Sequence, residues 1–280
     1  MSDSREELNQ RGFVRVPGIF TPEQIAELRV VHDNLFSMPA SYDGDLDGQG
    51  KIGSIRFDVC ARNEGLHWLL VHPPMLDVLR SLLGDDFVFL PEMAAHAGGF
   101  GDWHKDTTSQ ERAGNKFHSE DDFRMIQVAV YLQDNGEYGG GLDVIPGSHN
   151  LADRYLSRTD PSLANRIRRR VTKQLGLDRG PEDAISIPSQ AGDLVCFDVR
   201  LDHKASWPLS RKQTPSKVKY AIFFMASANN AHARKYVEYI QSRDDYTYLK
   251  GHEYPKDLLE LASGHGVNLM QTTRGELAGS

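Results

Sequence analysis

Cysteine is nearly absent: Cys60 and Cys196 are the only two in 280 residues, so no disulfide framework is available to hold the chain together. No apolar run approaches the roughly 18 residues that a membrane helix needs. The opening stretch, MSDSREELNQ, is too polar and acidic for a secretory signal. Positive charge is also scarce. A formal net charge of -7 argues against a nucleic-acid partner, which would select a basic surface. There is no internal repeat, no low-complexity segment, and no linker rich in Pro, Gly or Ser. What remains is an ordinary globular composition, 39% hydrophobic and 25% charged, with no membrane role. A reducing cytoplasmic setting and a single domain over residues 1–280 are the expectations.

Residues 1–85 read as helical, apart from an extended piece at 12–16. Thr21-Pro22-Glu23-Gln24 has the form of a capping box with proline at the first helical position. Ile25, Leu28, Val31 and Leu35 follow at helical spacing. A second amphipathic stretch carries Met75, Leu76, Leu79, Leu82 and Leu83, and Gly84 supplies its stop. Between the two, the Gly- and Asp-rich residues 41–53 read as a loop.

From about residue 86 the pattern changes to short strands: 87–90, 125–132, 142–145, 184–187, 194–197 and 217–226. Turns fall at Gly139-Gly140-Gly141, Pro146-Gly147 and Gly192-Asp193. A basic, helical insertion is predicted at 151–177. After Ala231 one helix is legible, HARKYVEYIQ, and then the pattern fades. Short strands with Gly and Pro turns favour a sandwich or barrel over a parallel α/β sheet. The predicted class is mainly β with flanking helices: a jelly roll (double-stranded β-helix) at about 86–230, a helical N-terminal part at 1–85 and an extension at 231–280.

The chemistry concentrates at Trp103-His104-Lys105-Asp106. Alternate side chains of an extended segment point to one face, so His104 and Asp106 project together while Lys105 points away. An imidazole nitrogen and a carboxylate oxygen placed so can take adjacent positions on one metal. A second histidine would complete a two-His-one-carboxylate triad, the arrangement of non-haem Fe(II) oxygenases, which leaves the opposite face of the metal open. His203, after the 194–197 strand, is the candidate. A lone His-x-Asp arises often by chance. Followed by a Pro-Gly-Ser-His turn and a distal histidine after Gly-Asp-Leu-Val, it is far more specific.

Five segments in order carry a family likeness: GFVRVPGIFTPEQIAELR, WHKD, GGLDVIPGSHN, GDLVCFDVRLDHKAS and KYAIFFMAS. Spread over residues 12–227, they resemble the phytanoyl-CoA dioxygenase family of 2-oxoglutarate oxygenases. The resemblance implies a jelly roll whose mouth holds Fe(II), 2-oxoglutarate and a small-molecule substrate. O2 would be consumed, an unactivated C–H bond hydroxylated, and succinate and CO2 released. Desaturation, epimerisation or ring formation by the same cofactors is the alternative outcome, and a non-catalytic metal- or ligand-binding jelly roll is a further one. Asp106 argues against halogenation, because the related halogenases carry Ala or Gly at the carboxylate position.

The resemblance also implies a cation for the distal carboxylate of 2-oxoglutarate, usually an arginine opening the last core strand. Matching KYAIFFMAS to that strand places Lys219 there, with Arg211 or Lys217 as alternatives in another register. Lysine neutralises a carboxylate but cannot form arginine's bidentate fork. Gln127 is a further candidate cosubstrate donor, on one face with Ala129 and Tyr131. His149 reads as part of a structural turn. His96 and His118 read as pocket-lining or packing residues, and Trp103 as core. Asp202 reads as an outer or solvent-facing carboxylate. Phe100, Arg56 and the 41–60 segment are candidates to cover the substrate. The Arg166–Arg170 cluster reads as a solvated helix face, with an anionic substrate such as a CoA thioester as the alternative.

Overall fold

The computed structural model describes residues 2–37, 55–97, 103–156, 181–206 and 220–272. The predicted loop at 41–53, the cation candidates Lys219, Lys217 and Arg211, Phe100, and Arg166–Arg170 lie outside the described residues, as does all but the start of the 151–177 insertion.

Among the described residues, the helices of eight or more residues are α1 (Ser2–Arg11), α2 (Pro22–Ser37), α3 (Pro73–Leu83), α4 (Ala231–Ser242) and α5 (Lys256–Gly264). The described strands are β1 (Phe13–Val16), β2 (Ile55–Phe57), β3 (Val88–Ala97), β4 (Met125–Tyr131), β5 (Leu142–Val144), β6 (Ile185–Ile187), β7 (Leu194–Asp198), β8 (His203–Ala205), β9 (Tyr220–Ser227) and β10 (Asn268–Leu269). They form two sheets. The larger runs β1-β7-β4-β9-β3-β10, with β2 also on β3; the smaller runs β6-β5-β8. The central ladders β7-β4-β9-β3 are antiparallel throughout.

Period-two patterning sorts the large sheet's side chains onto two faces. Ile126, Val128 and Val130 of β4 point outward and pack with Ile25, Leu28 and Leu35 of α2 and with Met75, Leu76 and Leu79 of α3. Each such fully buried side chain contributes about 1.5–3 kcal/mol. Ala129 and Tyr131 point the other way and meet Val195, Phe197 and Ala221 beside Leu142 and Val144 of the small sheet. Two sheets enclosing an inner face, with helices outside, are the predicted jelly roll.

Local signals place these elements. The reciprocal capping box starts α2: Gln24 Oε1 accepts from Thr21 N at 2.9 Å, and Thr21 Oγ1 accepts from Gln24 N at 3.3 Å. All five apolar residues expected on α3 are buried, and Gly84 ends it at φ 112°. The Gly192-Asp193 turn into β7 is fixed twice. Gly192 adopts φ 94°, and a Cβ there would lie 2.6 Å from the Phe20 carbonyl oxygen. Asp193 accepts from Arg15 Nε, Gly18 N and Gln190 N.

The flanking parts join the same sheet: β1 pairs with β7, and β10 runs parallel to β3. Among the described residues no helix is long and apolar enough to cross a membrane. Both cysteines are free and buried, and burial pushes the Cys196 thiol up to about 12, which suppresses thiolate chemistry.

Candidate metal centre

His104 and His203 come together through the backbone. His104 N donates to His203 O at 3.0 Å, and His203 N returns a bond to His104 O at 2.9 Å. The pair adds one bridge to the free edge of β8, and the two rings lie with centroids 4.3 Å apart. Two residues on, Asp106 N donates to Val199 O at 3.0 Å, which turns the carboxylate toward both imidazoles. Asp106 Oδ1 is 3.5 Å from Nε2 of each histidine. Ligand atoms of all three residues fall within 4.8 Å of one another.

The donor chemistry fits a divalent transition metal. His203 Nδ1 lies 2.9 Å from Leu201 O; a carbonyl only accepts, so Nδ1 carries the proton and Nε2 keeps its lone pair. Asp106 Oδ2 is buried with no hydrogen-bond partner, and such a lone-pair site is costly unless a ligand satisfies it. Burial alone would raise the Asp106 carboxyl, but His203, then His104, and a hydrogen bond from Gln127 outweigh it and hold the group below its ordinary value. An ionised carboxylate beside two neutral-capable imidazoles is the donor set expected for Fe(II).

The surroundings explain the motifs. Lys105, between the two candidate ligands, turns away as alternation predicts. Its Nζ donates to the Ser148 and Arg200 carbonyls and pairs with Asp202 Oδ1 at 3.2 Å, all in the interior. Asp202 is buried, not solvent-facing, and also pairs with Arg154 Nε at 2.9 Å. Ser148 Oγ accepts from Asp202 N at 2.8 Å, so the Pro-Gly-Ser-His turn braces both ligand-bearing segments. His149 bonds the Asn9 carbonyl at 3.0 Å, the structural role expected of it. Trp103 packs with Ile145 and Tyr155, under the Lys204 ammonium at 5.4 Å.

Next to the candidate ligands, the inner face of the large sheet stays partly open. Gln127, Phe223, Glu92 and His96 are all inward-facing and only half-buried, whereas their outward neighbours Val128, Phe224, Met93 and Ala95 are sealed. These four are therefore the side chains through which that face reaches solvent. His96 packs there against Phe223, with ring centroids 4.6 Å apart and planes tilted by 49°. His118 instead lies on an outer turn, bonded to Gln110 and Glu111. Arg56 is buried in the core, over Phe36 and bonded to the Leu35 carbonyl. Phe197 packs against the His203 ring at 4.8 Å.

Glu120, Asp122 and His232 form a second close group on the surface. It is already neutralised from within: His232 Nε2 contacts Asp122 at 2.7 Å, and Lys235 pairs with Glu120 at 3.3 Å.

Sequence reasoning passed over Glu92, Tyr236 and Tyr246, whose side chains meet. Partners so far apart in the chain leave no local pattern. Leu201 was likewise invisible as a partner, because it contributes only its carbonyl.

Similarity to known proteins agrees with this geometry. An ectoine dioxygenase of Sphingopyxis alaskensis is 30% identical over 149 residues, 49% of this chain and 46% of that protein. The Bordetella bronchiseptica ectoine dioxygenase is 23% identical over 235 residues, covering 74% of this chain and 72% of the other. The chain spans about half the length of several of the curated relatives it matches. Among solved structures, EctD from S. alaskensis with bound Fe superposes with a TM-score of 0.57 at 21% identity, covering 81% of this chain and 76% of that one. The epimerase SnoN in complex with Fe3+, alpha ketoglutarate and nogalamycin RO gives 0.55 at 17% identity, covering 82% and 88%. The pattern of the phytanoyl-CoA dioxygenase (PhyH) family matches residues 8–213, well over half of the sequence, and the chain belongs to that family.

Proposed function

We propose that this chain is an Fe(II)- and 2-oxoglutarate-dependent oxygenase that hydroxylates an unactivated C–H bond of a small molecule. The observation that carries the reading is the convergence of His104, Asp106 and His203, with His203 held in the tautomer a metal needs. When bound, ferrous iron with 2-oxoglutarate and O2 supplies the oxidising power for C–H hydroxylation, with succinate and CO2 as co-products.

The protein's own residues do the positioning. His104 and Asp106 offer Nε2 and a carboxylate oxygen from one short segment, and His203 offers Nε2 from the facing strand. Gln127, on the inward face of β4, helps keep the Asp106 carboxyl ionised. Phe197 against the His203 ring and Phe223 against His96 give the inner face apolar surface that limits water near the reacting centre. For the distal carboxylate of 2-oxoglutarate, the family resemblance assigns Lys219, with Lys217 or Arg211 as alternatives.

The test is succinate formation by the purified protein with Fe(II), 2-oxoglutarate and O2 against candidate metabolites, starting with ectoine because the relatives carry its name. Succinate should require all three components, and the product should gain the mass of one oxygen atom. Undiminished turnover in His104→Ala and His203→Ala would sink the reading.

A further inference from the structure

The inner wall carries a second carboxyl group that the metal centre does not use. Pairing of β3 with β9 shifts register between Phe89 and Met93, and Glu92 falls in that irregular stretch. Met93 pairs with Phe224 and Ala94 with Phe223, so Glu92 shares the inward face with Ala94 and His96. Tyr236 Oη donates to Glu92 Oε2 at 2.6 Å, and Tyr246 Oη donates to Oε1 at 2.8 Å. One phenol per oxygen fixes the carboxyl plane and leaves each oxygen a further lone pair.

What this carboxyl lacks is a counter-charge. Among the described residues no lysine, arginine or histidine lies within ion-pair distance of Glu92. Arg243 is close enough to be felt, but its guanidinium lies over the Tyr246 ring at 4.8 Å and the Tyr239 ring at 5.8 Å. Burial is the largest influence and pushes the Glu92 carboxyl up; the two phenols and Arg243 oppose it, and the Asp106 charge adds to it. A half-buried carboxylate without an ion-pair partner is costly, and one open to solvent near a candidate metal centre can receive that cation from a ligand.

We propose that Glu92, held by Tyr236 and Tyr246 on the inner face of the large sheet, anchors a protonated nitrogen of the substrate, so that the substrate is an organic cation of the ammonium, guanidinium or amidinium class. This rests on the oxygenase reading above and narrows its substrate. Both tyrosines belong to α4 and the turn that follows it, beyond residue 213 where the family match ends. Glu92 lies within the matched residues, but the two phenols that hold it come from a part of the chain that the shared pattern does not include.

The test uses matched pairs that differ only in charge: butylamine and 1-butanol, butylguanidine and butylurea, benzamidine and benzamide. Each is titrated calorimetrically into the full chain loaded with Fe(II) and 2-oxoglutarate under nitrogen. At least one cation should bind about tenfold or more tightly than its neutral partner. Glu92→Gln should abolish that preference while keeping the absorption band of iron-bound 2-oxoglutarate, and Tyr246→Phe should reduce it. If no pair shows a preference for the cation, or if Glu92→Gln keeps one, the proposal falls. Wild-type protein that forms no iron–2-oxoglutarate band would remove the oxygenase reading, and this one with it. A normal band without a cation preference removes the Glu92 anchor alone.

Discussion

The Nδ1–H of His203 donates to the carbonyl of Leu201 at 2.9 Å, and this single bond decides which ring nitrogen faces Asp106. Leu201 is itself pinned, its N–H donating to the Asp198 carbonyl at 2.9 Å. Asp198 is clasped by Arg200 through two side-chain bonds. The metal-facing atom of His203 is thus set by a closed turn between β7 and β8.

Removing a candidate ligand should cost metal and not fold. The bridge between His104 and His203 is made by backbone atoms, so alanine keeps both of its hydrogen bonds. His104→Ala, Asp106→Ala and His203→Ala should each weaken Fe(II) binding by more than ~100-fold, beyond what loss of an outer partner costs. Circular dichroism should be unchanged. Equilibrium binding under nitrogen reads the effect; wild-type iron affinity in any of the three would exclude that residue from the ligand set.

Lys105 separates two candidate ligands, yet its task is structural. Its ammonium is buried against Asp202 and two carbonyls, and burial pulls its pKa down against the opposing pull of Asp202. Lys105→Met removes the cation and one donor from each carbonyl, of which Ser148 O keeps only its bond from Leu151 N, and leaves Arg154 alone on Asp202. Breaking a buried pair this way should destabilise the fold by about 3–5 kcal/mol. Urea denaturation of variant and wild type measures it, and a loss under ~1 kcal/mol would contradict the account.

The α2 capping box lies far from the candidate ligands and separates stability from function. Thr21→Ala deletes the bond from Gln24 N and should cost about 0.5–2 kcal/mol. Iron affinity should stay at the wild-type value. A variant whose iron affinity fell in step with its stability would tie α2 to the metal centre and contradict this separation.

The parts legible in sequence are those governed by local periodicity. The heptad-like spacing of α3 gave all five of its buried side chains, and the alternation in MIQVAVY gave both faces of β4. On α2 one expectation shifted: Val31 is half-buried while His32 is sealed, stacked on Phe36 and Tyr220 and bonded to the His96 carbonyl. A histidine can serve as core when both its rim and its faces find partners, and no apolar template anticipates that. β3 reads short because Pro91, Glu92 and three alanines weaken its β signal, although the strand runs to Ala97. β10, only two residues long, has too few positions for any period. The candidate triad was reachable because His104 and Asp106 are local and a family likeness supplied His203. Glu92 and Tyr236, 144 residues apart, had neither signal.

Acid should weaken the fold through His149. Its Nε2–H donates to the Asn9 carbonyl at 3.0 Å, and its Nδ1 is buried with no partner. A Cβ on Gly12 would lie 2.5 Å from that Nδ1 and 2.7 Å from Leu201 Cδ1, so the nitrogen faces a tight wall with no acceptor. Protonation would put a charged N–H against it. Burial, the largest influence, accordingly holds the His149 pKa below the ordinary 6.5. The sign follows from linkage: the unfolded chain takes up this proton first as pH falls, so the contribution is intact above about 6.5 and is lost as pH drops from there through the folded value. His149→Gln can keep a donor toward Asn9 and has nothing to titrate. Between about pH 7.5 and pH 5, urea midpoints should fall more for the wild type than for His149→Gln. Equal falls in the two proteins would show that His149 is not the group the acid finds.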